Sequence, residues 1–235
     1  MSKTFIIAEA ACTWLHGGLE AAYRSIKAAK DCGADAWKTQ WTSDPEAMAM
    51  RRGVDRDKYT RLGWSGDVLP KLKAECDRVG ISFLCTVFIE KDLPVIAKYV
   101  EFVKVSAYES QDTKFMHAAC GVEKPLIVSV NPGAMRFAFT PDINWLYCVS
   151  KYPCPPEDLH LLGAKPHDGL SDHTCSVLTG AVAVGHGVGI IEKHVRLSDT
   201  PQDDPDYGHS LLLSVDGSGT FFEYVKNVRE AERML

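Results

Sequence analysis

Short apolar runs rich in β-branched residues recur along the chain and predict eight parallel strands. The runs are Thr4–Glu9, Ala36–Gln40, Ser82–Thr86, Phe102–Ser106, Leu126–Val130, Trp145–Val149, Gly169–His173 and Gly189–His194. Amphipathic patterns with a helical period lie between several of them, at Leu19–Cys32, Asp67–Val79, Lys91–Tyr99 and Thr174–Gly187, and a last one covers Thr220–Met234. This alternation favours a (β/α)8 TIM barrel over an open doubly wound sheet.

The connections over 130–141 and 159–169 are too short for a full helix, which predicts a compact barrel with some shortened connecting helices. The 235 residues are 46% hydrophobic, enough for one sizeable core. No linker or repeat marks a boundary, so we expect a single barrel domain over residues 1–235.

The charge balance points to small-molecule partners. The formal net charge is -5 and the basic residues form no cluster, which argues against nucleic acid or an anionic membrane surface. No apolar run could span a bilayer and no signal-peptide layout opens the chain, so we expect a cytoplasmic protein. The eight cysteines include no Cys-x-x-Cys pair, as in a reduced cytosolic core without structural zinc.

Two histidines end adjacent predicted strands about twenty residues apart, in Ser171-Asp172-His173 and Glu192-Lys193-His194. Rigid strand ends at the mouth of a barrel can hold two neutral imidazoles around a divalent metal. A lone histidine is more often a hydrogen-bonded structural residue, but the adjacent placement favours a metal site at His173 and His194. His186 lacks this context and is interpreted as structural.

The other strand ends carry lysines and hydroxyls that could neutralise and orient a phosphate group, namely Lys38, Thr86, Lys104, Ser129 and Ser171. Each one alone could equally be a snorkelling lysine or a helix cap. Glu9 and Glu109 are candidates for acid/base or ligand-orienting roles, although Glu109 could simply adjoin the next helix. The two-residue period of a strand predicts that Lys193 points outward.

The segments 7–9, 33–40, 148–155, 170–174 and 191–194 together resemble the sialic acid synthase (N-acetylneuraminate synthase) family. The similarity runs in order from about Phe5 to Leu212. The Ser-Asp-His-Thr block at Ser171 and the Glu-Lys-His block at Glu192 are highly specific in combination.

The resemblance implies a barrel enzyme that condenses phosphoenolpyruvate with an N-acyl amino sugar such as N-acetylmannosamine, using Mn²⁺ or Mg²⁺. His173 and His194 match the metal ligands, and Glu109 matches the acid/base residue. Other matched positions lie around phosphoenolpyruvate, at Lys38, Thr86, Lys104, Ser106, Ser129 and Ser171, or face the sugar, at Gln40, Tyr152 and Asp206.

The sequence departs from the family pattern in three places. Thr13–Gly17 replaces the usual Asn-His-Asn-Gly segment, and Ser106 and Ala107 stand in reverse order after Lys104. Family members usually continue into a small antifreeze-like domain, and the sequence ends at Leu235 without it. We therefore expect the resemblance to cover the catalytic barrel only. A second copy of the chain in a homodimer, or a separate partner chain, could complete the sugar site.

Two other functions remain open at this point. A Schiff-base aldolase could use Lys104 or Lys38 as nucleophile, and borohydride trapping with pyruvate would reveal it. A non-catalytic sugar- or phosphate-binding accessory barrel would bind metal and phosphoenolpyruvate without turnover. A metal hydrolase is disfavoured because such sites usually hold an early His-x-His pair, and this sequence has none.

Overall fold

Parallel strands form a closed barrel in chain order. The computed structural model describes residues 3–53, 57, 60–136, 142–160 and 167–235. The strands are β1 (Phe5–Ala11), β2 (Ala36–Gln40), β3 (Ser82–Thr86), β4 (Val103–Val105), β5 (Leu126–Val130), β6 (Ile143–Cys148), β7 (Gly169–Asp172) and β8 (Ile190–Arg196). Each strand pairs with the next, and β1 pairs with β8 so that the barrel closes. The predicted TIM barrel is confirmed.

Helices pack around the outside of this barrel. They are α1 (Gly18–Asp31), α2 (Pro45–Arg52), α3 (Leu69–Val79), α4 (Leu93–Ile96), α5 (Thr113–Cys120), α6 (Thr179–Gly185) and α7 (Phe221–Met234). The strand patterns did not predict α2, which begins where the Asp44 side chain accepts a hydrogen bond from Ala47 N and Pro45 occupies the first turn. None of the helices in the described ranges is both long and apolar enough to cross a membrane.

Two of the predicted helices are shorter than the pattern indicated. Over Lys91–Tyr99 the chain forms a 3₁₀ turn at Glu90–Asp92 and then only the single turn of α4. After β7, α6 does not begin until Thr179, because Asp172 Oδ1 accepts hydrogen bonds from the backbone and hydroxyl of Thr174 and holds a tight non-helical turn.

The ends of some strands also differ from those predicted from the sequence. β1 continues past Glu9 to Ala11, with a register shift against β2 at that point. β8 continues to Arg196 because a short ninth strand, β9 (Leu211–Leu212), pairs with its end. The predicted short connections fall partly on residues 137–141 and 161–166, which lie outside the described residues; the described part of the second holds one 3₁₀ turn, Pro156–Leu159.

Apolar side chains close the lower end of the barrel. Ile7, Ala36, Leu84, Ile127 and Leu146 point inward and pack into one buried cluster. Two residues further along each strand the side chain again points into the barrel, but it is polar. Glu9 follows Ile7 on β1, and Lys38 follows Ala36 on β2. The apolar layer therefore forms the floor on which a polar layer lies.

Gly169 is required where β7 enters the barrel, since a Cβ there would lie 2.3 Å from the backbone oxygen of Ile190. We expect Gly169→Ala to lower the free energy of unfolding by about 1–3 kcal/mol, as overpacking does in other cores. Urea-induced unfolding measures it. Gly185→Ala is the matched control, because its Cβ would meet no atom within 4 Å. Equal stability of the two variants would contradict the assignment.

Candidate active site

The upper part of the barrel holds a polar cavity of about 310 Å³. Strand alternation places seven inward-pointing side chains in the lining of this cavity: Glu9, Lys38, Thr86, Lys104, Ser129, Ser171 and Glu192. All seven are almost completely buried. Among the residues proposed from the sequence, Gln40, Ser106, Tyr152, His173 and His194 also line this cavity.

Lys38 lies at the centre of a cluster formed with Glu9, Thr86 and Glu192. Its ammonium pairs with Glu9 Oε2, donates to Thr86 Oγ1 at 2.8 Å and lies 3.5 Å from Glu192 Oε2. The other carboxylate oxygen of Glu9 accepts a hydrogen bond from the backbone nitrogen of Ala11. Glu9 therefore holds the lysine and is itself held by the irregular end of β1.

Lys104 is bound in a similar way on the opposite side of Glu192. Its ammonium donates to Ser129 Oγ at 2.9 Å and lies 3.7 Å from Glu192 Oε1. Ser171 Oγ donates to the same glutamate oxygen at 3.0 Å. Glu192, which the sequence analysis did not include among the site residues, thus bridges the two lysines.

The buried charges change one another's titration. Burial lowers the pKa of Lys38 to about 8, with Lys104 acting in the same direction and Glu192 opposing it. Burial by itself would raise the pKa of Glu192, but the ammonium groups of Lys104 and Lys38 bring it below its ordinary value. The glutamate is therefore ionised at neutral pH.

The two histidines proposed as metal ligands lie side by side at the rim of the cavity. Their ring centroids are 5.3 Å apart. His173 Nδ1 lies 2.8 Å from the carbonyl oxygen of Val149 and donates to it in the Nδ1–H tautomer, which leaves Nε2 for a ligand. Burial lowers the pKa of His173 to about 4, and burial together with His209 and His173 lowers that of His194 well below its usual value. Both rings are neutral, the form that binds metal.

Asp206 does not line the cavity but lies directly behind His194, with Oδ1 3.7 Å from His194 Nδ1. His209, which the sequence analysis did not assign, lies on the other side of this carboxylate, 3.3 Å from the same oxygen. The exposed ring of Tyr152 lies over the cluster, 4.3 Å from the ring of His173.

These donors fit a divalent ion. His194 Nδ1 and His209 Nε2 are buried and have no hydrogen-bond partner among the described residues. Unpaired buried nitrogens are rare in proteins, and two of them beside a carboxylate are the arrangement that an ion would complete. Imidazole nitrogen and carboxylate oxygen are both common ligands of divalent first-row metals.

The outward side chains of β7 and β8 hold the histidines in place. Lys193 points out of the barrel as predicted, yet it is fully buried beneath α7, 3.1 Å from Asp172 Oδ2. Asp172 also accepts hydrogen bonds from Thr179 and, at 3.0 Å, from Tyr224. His173 and His194 each adjoin one member of this network, so their backbone positions are fixed from behind.

Glu109 begins a 3₁₀ turn after β4, is completely buried and does not line the cavity, although its partners Arg52 and Ser106 do. Arg52 at the end of α2 donates to both of its carboxylate oxygens at 2.7 Å, and Ser106 Oγ donates to Oε2. The Arg52 guanidinium lies over the ring of Tyr108, 4.6 Å from its centroid. Ser106 is thus engaged with Glu109 rather than with the lysines of the polar layer.

Sequence reasoning missed Arg52 and His209. The Asp44-Pro45 start signal could have predicted α2, but nothing local indicates that its last residue reaches across to Glu109. His209 follows Asp206 by three residues, a spacing that places two ligands together only when the segment forms a helical turn, as it does at Tyr207–His209.

Similar proteins were found by sequence and by structure. A pseudaminic acid synthase of Campylobacter jejuni is 30% identical over 99% of this chain and 75% of its own length. The N-acetylneuraminate-9-phosphate synthase of Homo sapiens is 26% identical over 98% of this chain and 71% of its own.

A comparison of structures finds a protein with the same kind of name. The crystal structure of an N-acetylneuraminic acid synthetase from Leptospira borgpetersenii superposes with a TM-score of 0.82 at 25% identity, covering 99% of this chain and 84% of that one. Residues 25–235 match the NeuB family. The resemblance noted in the sequence is confirmed, and the chain belongs to the NeuB family, the carbon–carbon bond-forming sialic acid synthases.

Proposed function

We propose that residues 1–235 form a catalytic barrel that condenses phosphoenolpyruvate with an N-acyl amino sugar of the N-acetylmannosamine type. The products are a nine-carbon 2-keto sugar acid and inorganic phosphate. One observation carries the proposal: two buried lysines and three hydroxyls lie at the base of a cavity whose rim holds neutral His173 and His194. The relatives named as synthases of such acids support it.

Phosphoenolpyruvate binds over the polar layer. Its phosphate and carboxylate take the ammonium groups of Lys38 and Lys104 as counter-ions and the hydroxyls of Thr86, Ser129 and Ser171 as donors. In the free protein the same lysines are already balanced by Glu9 and Glu192. Binding therefore adds phosphate and carboxylate oxygens as further partners of lysines that keep their glutamate partners, so that no buried charge is left unpaired.

His173 and His194 would hold the divalent ion, Mn²⁺ or Mg²⁺ by the family resemblance. We add Asp206, a position that the resemblance assigns to the sugar, because its Oδ1 lies 3.7 Å from His194 Nδ1. When bound, such an ion polarises the aldehyde oxygen of the sugar. The protein's own contribution is to keep the imidazoles neutral by burial and oriented by the Val149 carbonyl and the Asp172–Lys193 pair.

The reaction joins C3 of phosphoenolpyruvate to the aldehyde carbon, whose oxygen takes up a proton. Water adds to C2 and gives up a proton, and the resulting intermediate breaks its C2–O bond to release phosphate. Glu109 receives the water's proton, while Arg52 and Ser106 fix the position of its carboxylate. Lys38 and Lys104 stay beside the phosphate throughout and stabilise the charge that it carries away.

The sugar lies toward the rim, where Gln40 and Tyr152 line the cavity and Asp206 stands behind His194. An N-acyl acceptor is the choice that the relatives favour, since the human relative is named for an N-acetylated product. The mixed polar and aromatic character of this wall suits a sugar ring, which has both hydroxyl edges and apolar faces.

The first test is phosphate release from phosphoenolpyruvate with Mn²⁺ present, across N-acetylmannosamine, other N-acyl hexosamines and the matched sugars without an acyl group. We expect release that depends on one N-acyl sugar, with mannose inactive because it lacks the acylamino group. Mass spectrometry of the product identifies the nine-carbon acid.

Three outcomes would contradict the proposal. Phosphate release with no sugar present would show hydrolysis of phosphoenolpyruvate instead of condensation. No release with any sugar, despite binding of phosphoenolpyruvate, would favour a non-catalytic barrel. A pyruvate adduct trapped on Lys38 or Lys104 by borohydride would favour the Schiff-base aldolase.

Glu109→Gln tests the acid/base role. The amide cannot accept the water's proton, so we expect turnover to fall about 100- to 10,000-fold while the affinity for phosphoenolpyruvate changes less than about twofold. Steady-state phosphate release and calorimetric titration measure these two quantities. Glu157→Gln, an exposed glutamate, is the control. Unfolding midpoints are compared as well, because Glu109 shares an ion pair with Arg52. Undiminished turnover of Glu109→Gln would refute the role.

The lowered pKa of Lys38, about 8, predicts a pH dependence of substrate binding. Above this pH the side chain loses its proton and its positive charge, whereas the substrate's phosphate, with a pKa near 6, is already ionised. We expect the affinity for phosphoenolpyruvate, measured by calorimetry without added metal, to fall by up to about tenfold from about pH 7 to about pH 9, the change in the protonated fraction of Lys38. Lys38→Met is expected to bind weakly with a flat profile. An identical slope in Lys38→Met would remove Lys38 as the cause.

A further inference from the structure

His209 is a buried histidine that neither the sequence analysis nor the proposed reaction uses. It ends the 3₁₀ turn Tyr207–His209 and is only 3% exposed. Its ring centroid is 4.6 Å from that of His194 and 5.0 Å from that of Tyr152. A third imidazole therefore lies against the histidine pair at the cavity rim.

The nitrogen atoms of this cluster are placed for a shared ligand. One ligand atom each from His194, Asp206 and His209 lies within 4.8 Å of the other two. His194 Nδ1 and His209 Nε2 are two of the buried side-chain atoms that have no hydrogen-bond partner in the described part of the chain, and both lie near Asp206 Oδ1. Two buried, unpartnered nitrogens that converge on one carboxylate oxygen leave room for an ion among them.

The carboxylate is itself held in position. Asp206 Oδ2 lies 3.7 Å from Arg61 Nη2, and its backbone nitrogen donates to Asp204 Oδ1 at 2.9 Å. The Ser210 hydroxyl donates to the Asp206 carbonyl. These contacts give the turn that carries both Asp206 and His209 a defined shape, as a pre-formed ligand set requires.

We propose that His209 is an additional ligand of the metal centre, binding the ion together with His194 and Asp206. This inference rests on the proposed function, since it enlarges the metal centre invoked there. Imidazole nitrogen suits Co²⁺ and Zn²⁺, whereas Mg²⁺ prefers oxygen and water. The donor set therefore selects a first-row transition ion and disfavours Mg²⁺, one of the two ions that the family resemblance implies.

The test is direct metal binding by the metal-stripped full chain. Co²⁺ is titrated while its visible d–d absorption is recorded, and calorimetry gives the affinities for Co²⁺, Mn²⁺ and Mg²⁺. We expect Co²⁺ to bind more tightly than Mn²⁺, with Mg²⁺ weakest. His209→Ala and His209→Gln should each weaken Co²⁺ binding at least about tenfold and alter the absorption bands.

His209→Gln separates a ligand from a positioning residue, because glutamine can still hydrogen-bond Asp206 but is a poor ligand for Co²⁺. Wild-type affinity and spectrum in His209→Gln would overturn the inference. His186→Ala removes an exposed imidazole and is the matched control, expected to bind as the wild type does. Unfolding midpoints of all variants confirm that each one is folded when titrated.

The same titration distinguishes this inference from the proposed function. Loss of binding in His173→Ala and His194→Ala, with wild-type binding in both His209 variants, would refute the role of His209 alone. Wild-type binding in His173→Ala and His194→Ala would refute the metal centre of the proposed function itself.

Discussion

Four buried charges in the barrel must balance, and the rest of the site depends on that balance. Lys38 and Lys104 carry two positive charges into a space closed below by apolar side chains, and Glu9 and Glu192 supply two negative ones. Charges without partners in such a space would cost several kcal/mol each. Removing any one of the four leaves the layer with one uncompensated charge, so the four side chains act as a unit.

Because successive side chains of a strand point to opposite faces, the strand ends contribute both to the cavity and to the packing of the helices outside the barrel. At β7 and β8 the inward positions face the cavity, while Asp172 and Lys193 form an ion pair under α7. The outer pair adds nothing to the cavity directly. The Asp172–Lys193 pair fixes the backbone from which the histidines project. This role accounts for the presence of a charged pair, instead of apolar side chains, between the barrel and the helices. Rigid placement of this kind is what a metal centre needs.

Much of the fold could be predicted because β/α alternation is a local pattern. The eight strands lie within a few residues of the predicted runs, since an apolar β-branched run between turn signals has few alternatives. Helix lengths were predicted less well. The start of α6 is set by hydrogen bonds from Thr174 to Asp172, and β8 is lengthened by β9. Neither effect leaves a periodic signal in the segment concerned.

The sequence by itself determined that the chain forms a barrel and that lysines, hydroxyls and two histidines stand at its strand ends, because these follow from local periodicity. Only the tertiary structure decided the partners of those residues. It brings Arg52 from α2 to Glu109 and His209 from the turn after β8 to Asp206 and His194, and it makes Glu192 the bridge between two lysines. Such contacts depend on how separate segments meet in space, which no local pattern encodes.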